Sequence, residues 1–223
     1  MATAYLTVDD APSETLPETL AVLDRHDVPV LFFCEGRRLA EYADHARQAV
    51  AAGHSLGNHT YSHPHASDIS VERFADEVER TETALEDVYE AAGVERPAKV
   101  FRFPYGDDGG DRADELQAVL AEQGFRPPDS DRIDYDWWVK RAAGRDWFWT
   151  VDVEDYDVDS KDALAENVAA AADRLAADSA DILLFHDSGN SPEQFDHYLE
   201  LLAERGVTFR DPLELVADRE TGD

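Results

Sequence analysis

Short apolar runs rich in β-branched and aromatic residues alternate along the chain with longer segments in which apolar positions recur every three to four residues. That alternation is the pattern of a parallel sheet or barrel with helices packed outside it. The runs predict seven strands, at residues 4–8, 30–33, 55–57, 100–103, 148–151, 182–185 and 207–209. Helices are expected between them at 16–25, 37–52, 71–92, 113–123, 163–177 and 192–205. Several boundaries carry their own signals. Ser191-Pro192-Glu193-Gln194 supplies an N-cap, a proline at the first helical position and a glutamine two residues further on, and Asp211-Pro212-Leu213-Glu214 repeats that logic for a last helix. Gly53, Gly93, Gly124 and Gly206 each close a helical run.

The stretch 125–146 breaks the rhythm. It sits where a short connection belongs and carries Pro127, Pro128, Trp137 and Trp138. An excursion of that length in a compact domain is usually functional or has structure of its own. A short helix at about 133–142 is expected there, lying over one end of the sheet near the mouth of a site. No internal repeat, Gly/Ser linker or composition break divides the chain, so one domain over 1–223 is expected.

Charge narrows the function classes. Twenty Lys+Arg stand against 50 Asp+Glu, a formal charge of −30. A surface this acidic repels a phosphate backbone, which excludes a nucleic-acid-coating protein. The acids are spread over presumptive helix surfaces, such as Glu72, Asp76, Glu77, Glu79, Glu82, Glu86 and Asp87. This predicts adaptation to high salt, where a Debye length of about 3 Å at 1 M screens self-repulsion. No stretch approaches the roughly 18 apolar residues that cross a bilayer, and Met1-Ala2-Thr3-Ala4 has neither a basic nor a long apolar leader region. The expectation is a soluble, cytoplasmic protein with no membrane partner. The single cysteine, Cys34, excludes an intrachain disulfide and a cysteine-built metal cluster, leaving His and carboxylate as the metal donors.

The residues capable of chemistry follow directly after the strand runs: Asp9-Asp10 after 5–8, His59 after 55–58, Arg102 and Tyr105 near 100–103, Asp152 after 149–151 and His186-Asp187 after 183–185. In parallel α/β folds, ligands bind at the carboxyl ends of the strands, so these segments converge on one mouth. Asp9 and Asp10, as neighbours on extended chain, point different ways and suit two separate jobs. His59 and His63 are four apart, which puts them on one face if a helical turn begins there and lets them share an ion completed by a carboxylate, with Asp10 the nearest by fold logic. His186 taken alone reads first as a core histidine with one hydrogen bond, and Asp152 or Asp155 is available to orient its ring if it is functional. Arg102 reads as a surface ion-pair partner or as the group that holds a strand-end carboxylate ionised.

Together these residues resemble the polysaccharide deacetylase family, also called the NodB homology domain or carbohydrate esterase family 4. Five motifs occur in order: Thr7-Val8-Asp9-Asp10-Ala11 for TFDDG, His59-Thr60-Tyr61-Ser62-His63 for HxxxH, Arg102-Phe103-Pro104-Tyr105 for RxPY, Asp152-Val153-Glu154-Asp155-Tyr156 for DxxDW, and Leu184-Phe185-His186 for LxH. The resemblance covers Tyr5 to about Val216 and implies an α/β fold, a distorted (β/α)7 barrel. It implies one divalent ion, usually zinc with cobalt, manganese or nickel as alternatives, on Asp10, His59 and His63. It implies Asp9 as the base, His186 oriented by Asp155 as the acid, Arg102 holding Asp9, and the Tyr105 backbone N–H at the oxyanion.

The activity implied is removal of N-acetyl groups from an amino-sugar oligo- or polysaccharide, with hydrolysis of a non-sugar amide or silent carbohydrate binding as alternatives. Retention of both Asp9 and His186 argues against silence. Trp137 and Trp138, with Trp147 and Tyr156, are candidates to stack on sugar rings, with core or lid packing as the other reading. Three departures stand out: Val8 for an aromatic, Ala11 for a glycine that matters if positive φ is needed there, and Tyr156 for a tryptophan beside His186.

Overall fold

The computed structural model describes residues 2–141, 144–158, 160–175 and 180–216. Its strands are β1 (Thr3–Ala11), β2 (Val30–Cys34), β3 (Ser55–Asn58), β4 (Val151–Asp152), β5 (Asp181–His186) and β6 (Thr208–Phe209). Its helices are α1 (Leu16–His26), α2 (Gly36–Glu41), α3 (Ala43–Ala51), α4 (Val71–Ala92), α5 (Ala113–Glu122), α6 (Asp136–Arg141), α7 (Lys161–Ala172) and α8 (Pro192–Glu204). The sheet runs β3-β2-β1-β5-β4, all parallel, with β6 beside the start of β1.

The remaining expected strand, at 100–103, is reduced to one residue. Phe101 bridges Asn58 on one side and Asp146 on the other. The run stops at once because Pro104 has no N–H to donate to a ladder. Even so, the ring closes. The Arg102 N–H donates to the Asn58 carbonyl at 3.0 Å, the Trp147 N–H to Phe101 at 2.7 Å, and the Thr150 N–H to Ile182 at 2.9 Å. Segment 146–152 therefore bonds to the Phe101 segment and to β5, which makes a distorted barrel with one thinly bonded wall.

Strand alternation sorts side chains between two environments. Tyr5 of β1 packs inside with Leu31, Phe33, Val100, Trp147 and Ile182. Ala4, Leu6 and Val8 face outward in a cluster that includes Leu20 and Leu23 of α1, Leu164 of α7 and Tyr198 of α8. A third cluster packs Phe74 of α4 and Leu116 of α5 against Phe101 and Phe103.

Three expectations need correction. The helix expected over 37–52 breaks at Tyr42 (φ −121°, ψ 39°), and just after the break the ring of His45 reaches the Ser13 carbonyl at 3.0 Å. The last helix is a single 3₁₀ turn, Pro212–Leu215, capped by the Asp211 side chain. The helix expected at 163–177 ends at Ala172, and residues 176–177 lie outside the described residues. The excursion at 125–146 does hold a short helix, α6, although residue 142 is outside the described ones. Its Ile133 and Trp138 pack with Tyr5, Ile182 and Leu215, and Arg141 donates to the Gly106 carbonyl beside Tyr105. No helix among the described residues is long and apolar enough to cross a membrane.

Candidate active site

The β1–β5 register sets Asp9 opposite His186 at the carboxyl ends of the two strands. Between Val8 and Ala11 the β1–β2 register shifts, and Asp10 takes φ +60°. This kink overrides the alternation of an extended chain, so both carboxylates face the same mouth. The left-handed residue is thus Asp10. Ala11 is outside that region, so its replacement of glycine carries no backbone strain.

His59 and His63 are not on a helical turn, so the condition under which their spacing would bring them together is not what unites them. A loop presents them, with Thr60 at φ +63° and His63 at φ +57°. Asn58 holds this shape, accepting from the Thr60 N–H at 2.9 Å and donating to Glu82 at 2.9 Å and the Val78 carbonyl at 3.0 Å. Glu77 accepts from the Ser62 N–H at 2.6 Å and the Ser62 hydroxyl at 2.9 Å. The loop is also bonded to Gly36 and Arg37 through the Thr60 and Tyr61 carbonyls. A Cβ on Gly36 would stand 2.4 Å from the Tyr61 ring, so only glycine fits there. Glu77 and Glu82 are buried braces of this loop and not the helix-surface charges expected.

Three donor atoms converge. Asp10 Oδ1 lies 3.1 Å from His63 Nε2 and 3.7 Å from His59 Nε2. These are ion-pair distances, and Oδ1 has no hydrogen-bond partner although it is buried. His59 Nδ1 lies 2.8 Å from the Arg102 carbonyl, which can only accept, so Nδ1 carries the proton and the Nε2 lone pair faces Asp10. Burial lowers the His59 pKa despite Asp9 nearby, which keeps that ring neutral. Burial works to raise the Asp10 pKa, but the His63 contact and the facing His63 and His186 rings outweigh it and hold Asp10 ionised. Ser188 donates to Asp10 Oδ2 at 3.2 Å. One carboxylate oxygen and two imidazole nitrogens within 4.8 Å of one another fit a divalent cation of the nitrogen- and oxygen-binding kind.

On one side of this cluster, Arg102 Nη1 donates to Asp9 Oδ1 and to the Thr7 hydroxyl, both at 2.8 Å, and its Nε donates to the Trp147 carbonyl at 2.7 Å. Both partners are buried, so the surface ion-pair reading of Arg102 does not hold. Asp9 Oδ2 remains 3.6 Å from His59 Nε2.

On the other side, Asp155 accepts from the His186 ring Nδ1 at 2.9 Å, from its backbone N–H at 2.8 Å and from Asn190 at 2.6 Å. Burial works to lower the His186 pKa, yet the Asp155 bond and charge, with Asp9 and Asp10, raise it to about 9. Of the two acids open at first, Asp155 orients the ring. Asp152 lines the cavity, and burial raises its pKa.

The mouth is an open cavity of about 420 Å³ with Tyr105, Trp149, Tyr156 and Leu184 on its walls. Tyr105 takes φ +59°, and its ring stacks on His65 at 3.9 Å. Tyr156 is exposed and meets His186 edge-on at 5.4 Å. Trp138 and Trp147 are fully buried, their indole N–H groups donating to the Phe148 and Arg126 carbonyls, so neither has a face to offer a sugar. Trp137 is 49% exposed but outside the cavity. Trp149, which sequence reasoning passed over, is the tryptophan on the wall. Its signal was its place one residue before the strand-end run Thr150-Val151-Asp152.

Facing carboxylate and imidazole groups across a cluster of metal donors, at the strand ends of a barrel, are the equipment of a hydrolase that attacks a carbonyl. A family model described as polysaccharide deacetylase matches residues 2–128, and the chain belongs to that family. A peptidoglycan-N-acetylglucosamine deacetylase of Bacillus cereus is 26% identical over 209 residues, covering 92% of this chain and 67% of that protein. A chitooligosaccharide deacetylase of Sinorhizobium fredii is 30% identical over 208 residues, covering 93% and 78%. Among solved structures, a family 4 carbohydrate esterase from Streptomyces lividans in complex with acetate matches with a TM-score of 0.71 at 25% identity, over 97% of both chains. A CE4 family pseudoenzyme from Bacillus anthracis matches with the same score and identity, over 97% of this chain and 66% of that one. Since this fold is found in esterase and pseudoenzyme alike, the side chains at the mouth carry the functional argument.

Proposed function

We propose that this protein is a divalent-metal-dependent N-deacetylase of amino-sugar oligo- or polysaccharides, releasing acetate and leaving a free amine on the sugar. The observation that carries the reading is the His59 tautomer. A buried neutral imidazole with its lone pair facing a carboxylate and a second imidazole is costly as a structural arrangement and useful as a cation site. Asp10, His59 and His63 would hold the ion, which when bound lowers the pKa of a coordinated water and polarises the amide carbonyl.

The other residues have separable tasks. Asp9, fixed through one oxygen by Arg102, keeps the other free to accept a proton from the attacking water. The backbone N–H of Tyr105 is the donor assigned to the developing oxyanion, a type of contact worth about 2.7–4 kcal/mol. His186, protonated at neutral pH, gives its proton to the departing amine. Tyr156 and Leu184 line the cavity beside His186, where the acetyl group is taken to sit.

Acetate release from a panel of N-acetylated sugars and oligosaccharides tests the reading. Activity is expected to vanish with chelator and to return on addition of zinc, cobalt, manganese or nickel. Turnover that survives complete metal removal overturns it.

The same proposal extends to solvent. With a formal charge of −30, the fold is under self-repulsion at low ionic strength, which is the physical basis for reading this as a high-salt protein. The melting temperature is expected to rise between millimolar and molar KCl. A flat melting temperature over that range removes the idea.

A further inference from the structure

The Tyr105 N–H serves an oxyanion only if the turn from Phe103 to Asp107 holds it in place, and that turn is strained. Tyr105 and Gly106 are consecutive left-handed residues, at φ +59° and +62°. A tyrosine persists there only where its surroundings over-determine the backbone. Two hydrogen bonds lie within the turn, from the Gly106 N–H to the Phe103 carbonyl at 3.1 Å and from the Asp107 N–H to the Pro104 carbonyl at 3.0 Å. The remaining restraint comes from outside it.

On one side, the Asp107 carboxylate accepts from the Ser67 N–H at 3.0 Å and from its hydroxyl at 2.7 Å. On the other, Gly106 packs against Phe148 and Trp149, whose stacked rings have centroids 4.2 Å apart. A Cβ on Gly106 would come within 2.8 Å of the Phe148 ring and 2.9 Å of the Trp149 ring, so the turn rests directly on these two residues. The Gly106 carbonyl accepts from Arg141, whose guanidinium lies 3.9 Å over the Phe148 ring. Trp138, three residues earlier on the same face of α6, is fully buried and donates from its indole N–H to the Phe148 carbonyl at 3.0 Å. Arg141 is thus tied to a fixed point of the barrel wall, and it is bonded to a backbone carbonyl in a chain that holds 50 acids.

We propose that Arg141 is a positioning residue for the reaction: by holding the Gly106 carbonyl it keeps the Tyr105 N–H aimed at the developing oxyanion. The inference rests on the deacetylase reading and gives the excursion at 125–146 a task, which is to brace the oxyanion turn. Peptide planes are rigid, so between the Tyr105 N–H and the Gly106 carbonyl lie only the φ and ψ of these two left-handed residues. A carbonyl fixed by Arg141 therefore fixes the donor as well. Such a donor acts on the charge that develops in the transition state, so its misplacement slows turnover more than it weakens substrate binding.

Two measurements on the full metal-loaded chain test this: kcat and KM for an N-acetylglucosamine oligomer, and amide hydrogen exchange. Arg141→Met keeps an apolar cover on Phe148 but has no donor. It should lower kcat about ten- to a hundredfold with KM changed by less than about twofold, the split expected when a contact made only in the transition state is weakened. Arg141→Lys, which restores a donor, should recover most of the rate, and Lys140→Ala, which removes the neighbouring cation of α6, should behave as wild type. Exchange at the Gly106 and Asp107 amides should quicken about two- to tenfold in Arg141→Met, the net worth of one hydrogen bond, which a pure charge effect on the mouth would not produce. If Arg141→Met melts early, Arg141→Gln, which loses the charge and much of the reach, carries the comparison. A wild-type kcat in the donor-free variant, a raised KM at unchanged kcat, or unchanged exchange overturns the assignment. If the wild type releases no acetate from any oligomer, the deacetylase reading falls by itself. The exchange rates then still decide whether Arg141 holds the turn, and equal rates in wild type and Arg141→Met overturn it.

Discussion

Asp155→Asn is expected to shift the alkaline limb of kcat/KM down by at least about two pH units and to lower activity near pH 8 on the order of a hundredfold or more. Three effects act on His186. Burial favours the neutral ring, while the Asp155 bond and charge, helped by Asp9 and Asp10, favour the cation and win, giving a pKa of about 9. Asparagine keeps a hydrogen-bonding oxygen but removes the nearest charge, so burial then dominates and the ring loses its proton below the ordinary histidine value. A neutral ring has no proton to give the departing amine. The sign for stability is the same. The folded-state pKa lies above the unfolded value near 6.5, so the pair's contribution is complete below pH 6.5 and is lost as pH rises through about 9. A bound cation adds positive charge beside the ring and lowers its pKa, so wild type and variant must be compared at equal metal loading. A pH–rate profile with superimposable alkaline limbs in the two proteins would exclude His186 as the acid.

The parts legible in sequence were those written in local pattern. Strand runs with polar residues at their ends point Asp9, His59, Arg102 and His186 toward one mouth, because period and position are properties of adjacent residues. What stayed hidden depends on tertiary bonds or on single torsions. Nothing in Thr7-Val8-Asp9-Asp10-Ala11 announces the φ of +60° that turns Asp10 to the same side as Asp9. Nor does HxxxH spacing distinguish a helical turn from a loop braced by Asn58 and Glu77. The two acids Glu77 and Glu82 look like their neighbours on α4, and only the packing of that helix against the His59 loop makes them buried acceptors for Ser62, Asn58 and Arg96. The tryptophans show the same limit. Composition gives four, but it takes the closed ring to bury Trp138 and Trp147 and leave Trp149 at the cavity and Trp137 on the flank.

Asp9→Ala is expected to do two kinds of damage that a double variant can separate. The first is chemical. Without the carboxylate that accepts the proton, acetate release should fall by about 10²–10⁴-fold even with the cation site filled, since Asp10, His59 and His63 are intact. The second is structural. Arg102 is fully buried, with one guanidinium nitrogen already lacking a partner, and burial opposes its charge while Asp9 sustains it. Removing Asp9 leaves the guanidinium with the Thr7 hydroxyl and the Trp147 carbonyl as hydrogen-bond partners and only the more distant Asp146 and Asp152 charges, at a cost of about 3–5 kcal/mol. Asp9→Asn, which keeps an acceptor oxygen 2.8 Å from the guanidinium position, should lose the same activity for a smaller loss of stability. Adding Arg102→Met to Asp9→Ala removes the unpaired charge and fills the space between Phe33 and Trp149, so most of the stability should return, less what the Trp147 carbonyl loses as a partner. Activity should not return with it. Chemical denaturation and acetate release on the three variants decide the matter. An Asp9→Ala protein as stable as wild type would mean that Arg102 is satisfied without Asp9, and a double variant that regained turnover would mean that Asp9 is not the base.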